Sequence, residues 1–163
     1  MNVDSLNSLS EDDARRALLA CCAAPRWAEE VAAGRPYRSI EALHAAAEAA
    51  LTDIDVADGL AGHPRIGERT ADQRSRREQR GVSGASTEVL AALAEGNREY
   101  ERRFGHVYLV CATGRDADQL LGLLRDRLGN DPDTERAVVR GELVAINRIR
   151  LDRMLGELAL GRV

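Results

Sequence analysis

Along most of the chain apolar residues recur at intervals of three and four, in runs separated by short breakers, a pattern that predicts helices. Ser10 and the acids Glu11, Asp12 and Asp13 open a helix that carries Leu18 and Leu19 and stops before Pro25. Pro25 suits the first position of a second helix, which runs through Trp27 and Val31 to the break at Gly34-Arg35-Pro36. Ser39 caps a third, with Leu43, Ala46 and Ala50, and a short fourth covers Ile54 to Leu60 and ends at Gly62. Residues 64 to 74 are polar and aperiodic, which predicts a loop. A short helix follows from about Gln73 to Arg80, with Gly81 as its C-terminal stop, and a long one from Thr87 to Phe104, stopped by Gly105. Asp116-Ala-Asp-Gln119 resembles a capping box for a helix to Leu128, and Asp131 with Pro132 opens a last helix to about Leu158. Residues 106 to 112 are the single β-prone run. One strand makes no sheet, so a buried extended segment is expected there. The expected fold is all-α: one domain over residues 1 to 163, a bundle of about eight helices with one short buried extended segment.

At 163 residues and 17.7 kDa the chain is long enough for one core and too short for two. Hydrophobic residues are 44% and charged residues 31%, a globular balance; aromatics are only 3%, so aliphatic residues must fill the core. All 23 cations are Arg, against 27 acids, for a net charge of −4. That balance argues against a non-specific nucleic-acid binder, and no apolar run approaches the roughly 20 residues of a membrane helix. Met1 to Ser5 lack the basic and apolar regions of a signal peptide, and Gly161-Arg162-Val163 is no recognised address. Cys21, Cys22 and Cys111 form no C-x-x-C pair, which predicts reduced thiols and a cytoplasmic protein.

Three features suggest chemistry. In Gly62-His63-Pro64 the proline holds His63 in an extended conformation at a helix end, where an imidazole suits proton transfer; the plain alternative is a loop histidine. Ser75, Glu78 and Gln79 share one helix face that offers a hydroxyl, a carboxylate and an amide; the alternative is a solvated face. Val139, Leu143 and Ile146 form an inward stripe that Arg150 continues, so its guanidinium needs either a core carboxylate or an anionic ligand. His44, His63 and His106 are spaced by 19 and 43 residues and match no local metal-ligand pattern.

Several ordered blocks are similar to those of the 2-oxo-4-hydroxy-4-carboxy-5-ureidoimidazoline (OHCU) decarboxylases of urate degradation. Pro25, Trp27 and Pro36-Tyr37 resemble the family's N-terminal block; His63-Pro64 resembles its A-H-P signature, and Ser75 to Gln79 its S-x-x-E-Q signature. Asn97, Tyr100, Phe104 and Gly105 echo N-x-x-Y-x-x-x-F-G, and Cys111 to Arg115 resemble C-A-T-G and the residue after it. Arg127-Leu128, Asn130 and Glu135 fit R-L-x-N-x-x-x-x-E, and Ile146 to Leu151 fit I-x-x-I/L-R-L. The resemblance covers roughly residues 5 to 158. Two stretches depart from the family pattern: His106-Val107 stand where many relatives carry F-P, and Arg65-Ile66-Gly67-Glu68 follow His63-Pro64 where D-L-A is commoner.

The resemblance implies an all-helical homodimer without metal or organic cofactor. Its substrate carries its own electron sink, an imine beside the carbon that bears the carboxylate and hydroxyl, and the product is S-allantoin with CO2. Carried over, His63 is the proton donor, or the base on the hydroxyl, and Glu78 holds that hydroxyl or tunes the imidazole. Pro64 with Ser75, Arg76, Arg77, Glu78 and Gln79 would line the pocket. Main-chain groups of Tyr108, Leu109, Val110, Cys111 and Ala112 would pair with the ring and ureido amides, and Arg150 would anchor an oxygen. Competing readings are an all-α binding or scaffold protein, a related lyase acting on another ureido or purine-derived acid, and a metal hydrolase.

Overall fold

The computed structural model describes residues 2–68 and 72–162. Of the expected loop from 64 to 74, Arg69, Thr70 and Ala71 lie outside the described residues. Among the described residues the chain is all-α, with nine α-helices, one 3-10 turn and no strand. Helix α1 (Asp4–Asn7) is absent from the sequence expectation, because four residues are too few to show a helical period. Ser10 caps α2 (Glu11–Cys21), its hydroxyl accepting from Asp13 N at 3.1 Å, and Pro25 opens α3 (Pro25–Ala33). Ser39 accepts from Ala42 N to start α4 (Ile40–Ala49), and Thr52 with Asp55 forms a capping box on α5 (Asp53–Ala61). Asp72 caps α6 (Gln73–Glu78), Ser86 caps α7 (Thr87–Phe104), and the Asp116–Gln119 box opens α8 (Ala117–Leu128). Helix α9 runs from Pro132 to Ala159.

Two glycines end helices in different ways. Gly105 stops α7 in the left-handed region at φ 79°, as expected. Gly81 is not the stop of α6. Helix α6 ends at Glu78, and Gly81 sits within the 3-10 turn Arg80–Val82, outside the positive-φ region. A Cβ there would lie 1.9 Å from the carbonyl oxygen of Arg115, so this glycine admits a second stretch of backbone.

By its internal contacts the chain forms two compact units, residues 1–62 with 144–163, and residues 63–143. In the first, α2 packs on α3, and the indole of Trp27 donates to Ala47 O at 2.8 Å. Leu6, Leu18, Leu43, Leu151 and Leu155 are fully buried there. Asp55 is also fully buried; it accepts from Thr52 N and from Arg26, whose guanidinium lies 2.5 Å away. In the second unit, α7 packs on α8, and Leu93, Tyr100, Tyr108, Leu120 and Leu124 form its core with Ile66, Val110 and Ala112. The segment expected to be extended is non-helical and largely buried. Residues 107–112 adopt neither helix nor strand, and Tyr108, Leu109, Val110 and Ala112 are buried.

Candidate active site

The second unit begins with His63 and Pro64, both half-buried, directly after the Gly62 cap of α5. Three side chains fasten the turn that follows. Asn97 of α7 donates its amide to Ile66 O at 2.9 Å, and Gln79 Oε1 accepts from Gly67 N at 3.0 Å. Arg65 pairs with Glu101 of α7 at 2.5 Å and with Glu68 at 3.3 Å.

The face of α6 is not a solvated one. Ser75 is 3% exposed and Glu78 9%, Gln79 and Arg77 are half-buried, and only Arg76 is exposed. Asp72 orders the start of this helix, accepting from Ser75 N at 3.0 Å and from Ser75 Oγ at 2.7 Å. The approach of Gly81 to Arg115 lays the 3-10 turn that follows α6 against the chain just after residue 112. Burial pushes the Cys111 thiol up, and the negative charges of Glu142 and Glu78 add to that rise. The 63–64, 75–79 and 108–112 blocks, widely spaced in sequence, lie in one unit.

That segment is held by side chains in place of a neighbouring strand. The Tyr108 hydroxyl donates to Leu120 O at 3.0 Å. Arg127 donates to Leu109 O at 2.6 Å and to Glu135 at 2.5 and 2.8 Å. Glu135, only 1% exposed, also accepts from the Tyr100 hydroxyl and from the Asn130 amide. Burial alone would raise the Glu135 carboxyl, but the hydrogen bonds from Arg127, Tyr100 and Asn130 outweigh it and hold the group below its ordinary range. The Arg127 guanidinium lies 4.9 Å from the Tyr108 ring centroid and 5.8 Å from that of Tyr100. Burial pushes both phenols up. Glu142 of α9 accepts from Cys111 N at 2.7 Å, and Arg115 donates to Cys111 O at 3.1 Å.

His106, a departure from the family pattern, belongs to an aromatic cluster. Its ring meets Tyr100 edge-on at 5.5 Å and stacks near Phe104 at 6.4 Å, with Nδ1 3.0 Å from Val107 O. His44 lies in the first unit, 2.9 Å from Asp152. Arg150 lies there too, half-buried, where it donates to the main-chain carbonyl of Cys21 at 3.2 Å. It is the one expected site residue outside the second unit.

Sequence reasoning gave no role to Asn97, Arg115, Arg127, Glu135 or Glu142. The first four stand within matched sequence blocks, so a signal was there; Glu142, beside Leu143 in the inward stripe, carried none.

The sequence model of the OHCU decarboxylase family matches residues 7–152, a stretch that includes every expected site residue from His63 to Arg150. The uric acid degradation bifunctional protein TTL of Arabidopsis thaliana is 29% identical over 150 residues, covering 85% of this chain and 46% of that protein. This chain therefore spans about half the length of that relative. The 2-oxo-4-hydroxy-4-carboxy-5-ureidoimidazoline decarboxylase of Amia calva is 28% identical over 141 residues, covering 80% of this chain and 81% of that one. Among solved structures, an OHCU decarboxylase crystallised in the presence of (S)-allantoin shares the fold, with a TM-score of 0.74 at 24% identity over 93% of this chain and 99% of that one. With the all-α architecture in place and the family's sequence model matched along nine-tenths of its length, the chain belongs to the OHCU decarboxylase family.

Proposed function

We propose that the protein is a carboxy-lyase that converts OHCU to S-allantoin and CO2 without a cofactor. The observation that carries this reading is the family match over residues 7–152, which includes the His63 and Ser75–Gln79 blocks. The burial of Ser75 and Glu78 supports it, since a carboxylate and a hydroxyl on a merely solvated helix face would stand in water.

In the reaction the bond between the ring carbon and its carboxylate breaks, and CO2 leaves. The electron pair forms a double bond to the neighbouring imine carbon, and the imine nitrogen takes up a proton. The hydroxyl then gives up its proton as its carbon becomes a carbonyl, and the former imine carbon receives a proton on one face. His63 is the group proposed to deliver or remove a proton, and Glu78 to hold the hydroxyl or the imidazole. Pro64, Ser75, Arg76, Arg77 and Gln79 would line the pocket, main-chain groups of Tyr108 to Ala112 would meet the ring and ureido amides, and Arg150 would anchor an oxygen. The protein's task is then to orient and desolvate the carboxylate and to deliver the proton to one face. We further propose that residues 1 to 163 act as one such domain, as a cytoplasmic homodimer.

The test generates OHCU in situ from urate, adds the purified protein, and follows circular dichroism for chiral allantoin. Prompt S-allantoin from the wild type, with slow racemic product from His63→Asn, is expected. Wild-type progress no faster than the spontaneous decay would refute the assignment.

A further inference from the structure

The turn after His63-Pro64 is built around one peptide. Glu68 N–H donates to Arg65 O at 3.3 Å. Gly67, third of the four residues, has φ 88° while Ile66 keeps a negative φ, which makes residues 65–68 a type II β-turn. A type II turn differs from the commoner type I by a reversal of the central peptide, here the one that joins Ile66 C=O to Gly67 N–H. Side chains hold both groups of that peptide. Asn97 donates to Ile66 O at 2.9 Å, and Gln79 Oε1 accepts from Gly67 N–H at 3.0 Å. Asn97 is 3% exposed, and its own Oδ1 is buried without a hydrogen-bond partner among the described residues. A buried polar atom left unpaired is uncommon, so this amide is in place for the one bond its nitrogen makes.

We propose that Asn97 and Gly67 are positioning residues that act on Gln79 through the 66–67 peptide. They hold its amide with the oxygen toward the turn and the two N–H groups free for an acceptor oxygen of the substrate. The proposal rests on the decarboxylase reading above, in which Gln79 lines the pocket. The main chain of Gln79 is already tied, its N–H to Ser75 O and its C=O to Val82 N–H, both at 3.0 Å, so the remaining freedom is in the side chain. An amide presents its oxygen or its nitrogen according to a half-turn of its last torsion. The Gly67 N–H can meet only the oxygen, and so it decides which. Among the described residues no protein acceptor takes the Gln79 N–H groups. With the central peptide reversed, a carbonyl would face Gln79, and the amide would turn its oxygen toward the carboxylate and carbonyl oxygens of OHCU. Asn97 opposes that reversal, because its N–H needs the Ile66 carbonyl where it stands.

The experiment is a double-mutant cycle on the whole protein: Asn97→Ala, Gln79→Ala and the two together, and the same cycle with Gly67→Ala in place of Asn97→Ala. A Cβ on Gly67 meets nothing nearer than 3.9 Å, so that variant acts through the positive φ and not through packing. Two readouts are taken, kcat/KM on OHCU and amide hydrogen exchange at Gly67 by NMR. Each single variant is expected to lower kcat/KM about tenfold, as loss of one orienting hydrogen bond predicts. Each double variant is expected to stay within about threefold of Gln79→Ala, because Asn97 and Gly67 act only through Gln79. Gly67 N–H is expected to lose protection in Gln79→Ala and in Asn97→Ala. A double variant down about a hundredfold, wild-type kcat/KM in Asn97→Ala or Gly67→Ala, or unchanged exchange at Gly67 would each overturn the proposal. If Asn97→Ala fails to fold, the Gly67→Ala cycle decides alone. If the wild type itself fails to turn over OHCU, the decarboxylase reading falls and the aim at its oxygens with it. Exchange at Gly67 then still decides whether the turn holds Gln79.

Discussion

Replacing Arg127 with Met tests whether the buried charges of the second unit act as a network. Met keeps an unbranched apolar stem and removes the donors. Four hydrogen bonds go, two to Glu135, one to Leu109 O and a long one to the Tyr100 hydroxyl, and a carboxylate that is 1% exposed loses its cation. Breaking a buried pair from one side costs about 3–5 kcal/mol, because an uncompensated charge stays behind. For a domain of this size that is a fall in Tm of roughly 6–20 °C. The pH dependence separates this cause from loss of packing. In the wild type the Glu135 carboxyl sits below its unfolded value of 4.5, so its stabilising contribution is present above that pH and is lost as pH falls through the lower folded value. In Arg127→Met the burial that opposes ionisation is no longer outweighed by the guanidinium. The folded pKa then lies above the unfolded one, and the penalty grows as pH rises through it. The stability gap between the two proteins is thus widest near neutrality and narrows on acidification. Urea unfolding at neutral pH and near pH 4.5 measures it, with Arg127→Met/Glu135→Gln expected to recover part of the loss. A gap under about 1 kcal/mol at neutral pH, or one that widens in acid, would refute the reasoning.

Two glycines give sharper and opposite expectations. Gly81→Ala places a Cβ 1.9 Å from Arg115 O and 3.1 Å from Asp116 Cα, both backbone atoms, so one strand of chain must shift. We expect a loss of about 1–3 kcal/mol in urea unfolding although the residue is exposed, and a variant as stable as wild type would count against the close approach. Gly122 lies exposed within α8, and a Cβ there meets nothing within 4 Å. Gly122→Ala should therefore raise stability by up to about 1 kcal/mol, seen as a higher Tm; no gain would mean the helix is strained at that turn.

Most of the fold was legible because it is written in local signals. Ser10, Ser39, Pro25, Gly105 and the Asp116–Gln119 box each act on backbone groups within four residues, and the structure puts each in its expected place. Gly81 was misread for the opposite reason. Its requirement comes from Arg115, far along the chain, and a stop for α6 and a gap for foreign backbone look the same in sequence. The site divides along the same line. The His63-Pro64 and Ser75–Gln79 patterns stood out by residue type, but the burial of Ser75 and Glu78 depends on tertiary neighbours. Glu142 carries no signal in the sequence because its partner is a single main-chain N–H, that of Cys111, and any acid on a long helix reads as a solvated charge.

The charges around residues 108–112 also explain how a single extended segment persists inside a helical unit. Buried backbone groups need partners, and no strand is present among the described residues to provide them. Helices present side chains, so the partners must be side chains long enough to reach and strongly enough polarised to substitute for a peptide. Arg127, Arg115 and Glu142 meet both conditions. A wholly apolar replacement of a buried ion pair is often no less stable, so stability alone is a weak reason to keep Arg127 and Glu135 in a core. What apolar residues would not do is satisfy the carbonyl of Leu109 and the N–H and C=O of Cys111. The charges are kept in this core for the backbone they hold, because removing any of them leaves a main-chain group of Leu109 or Cys111 without its partner.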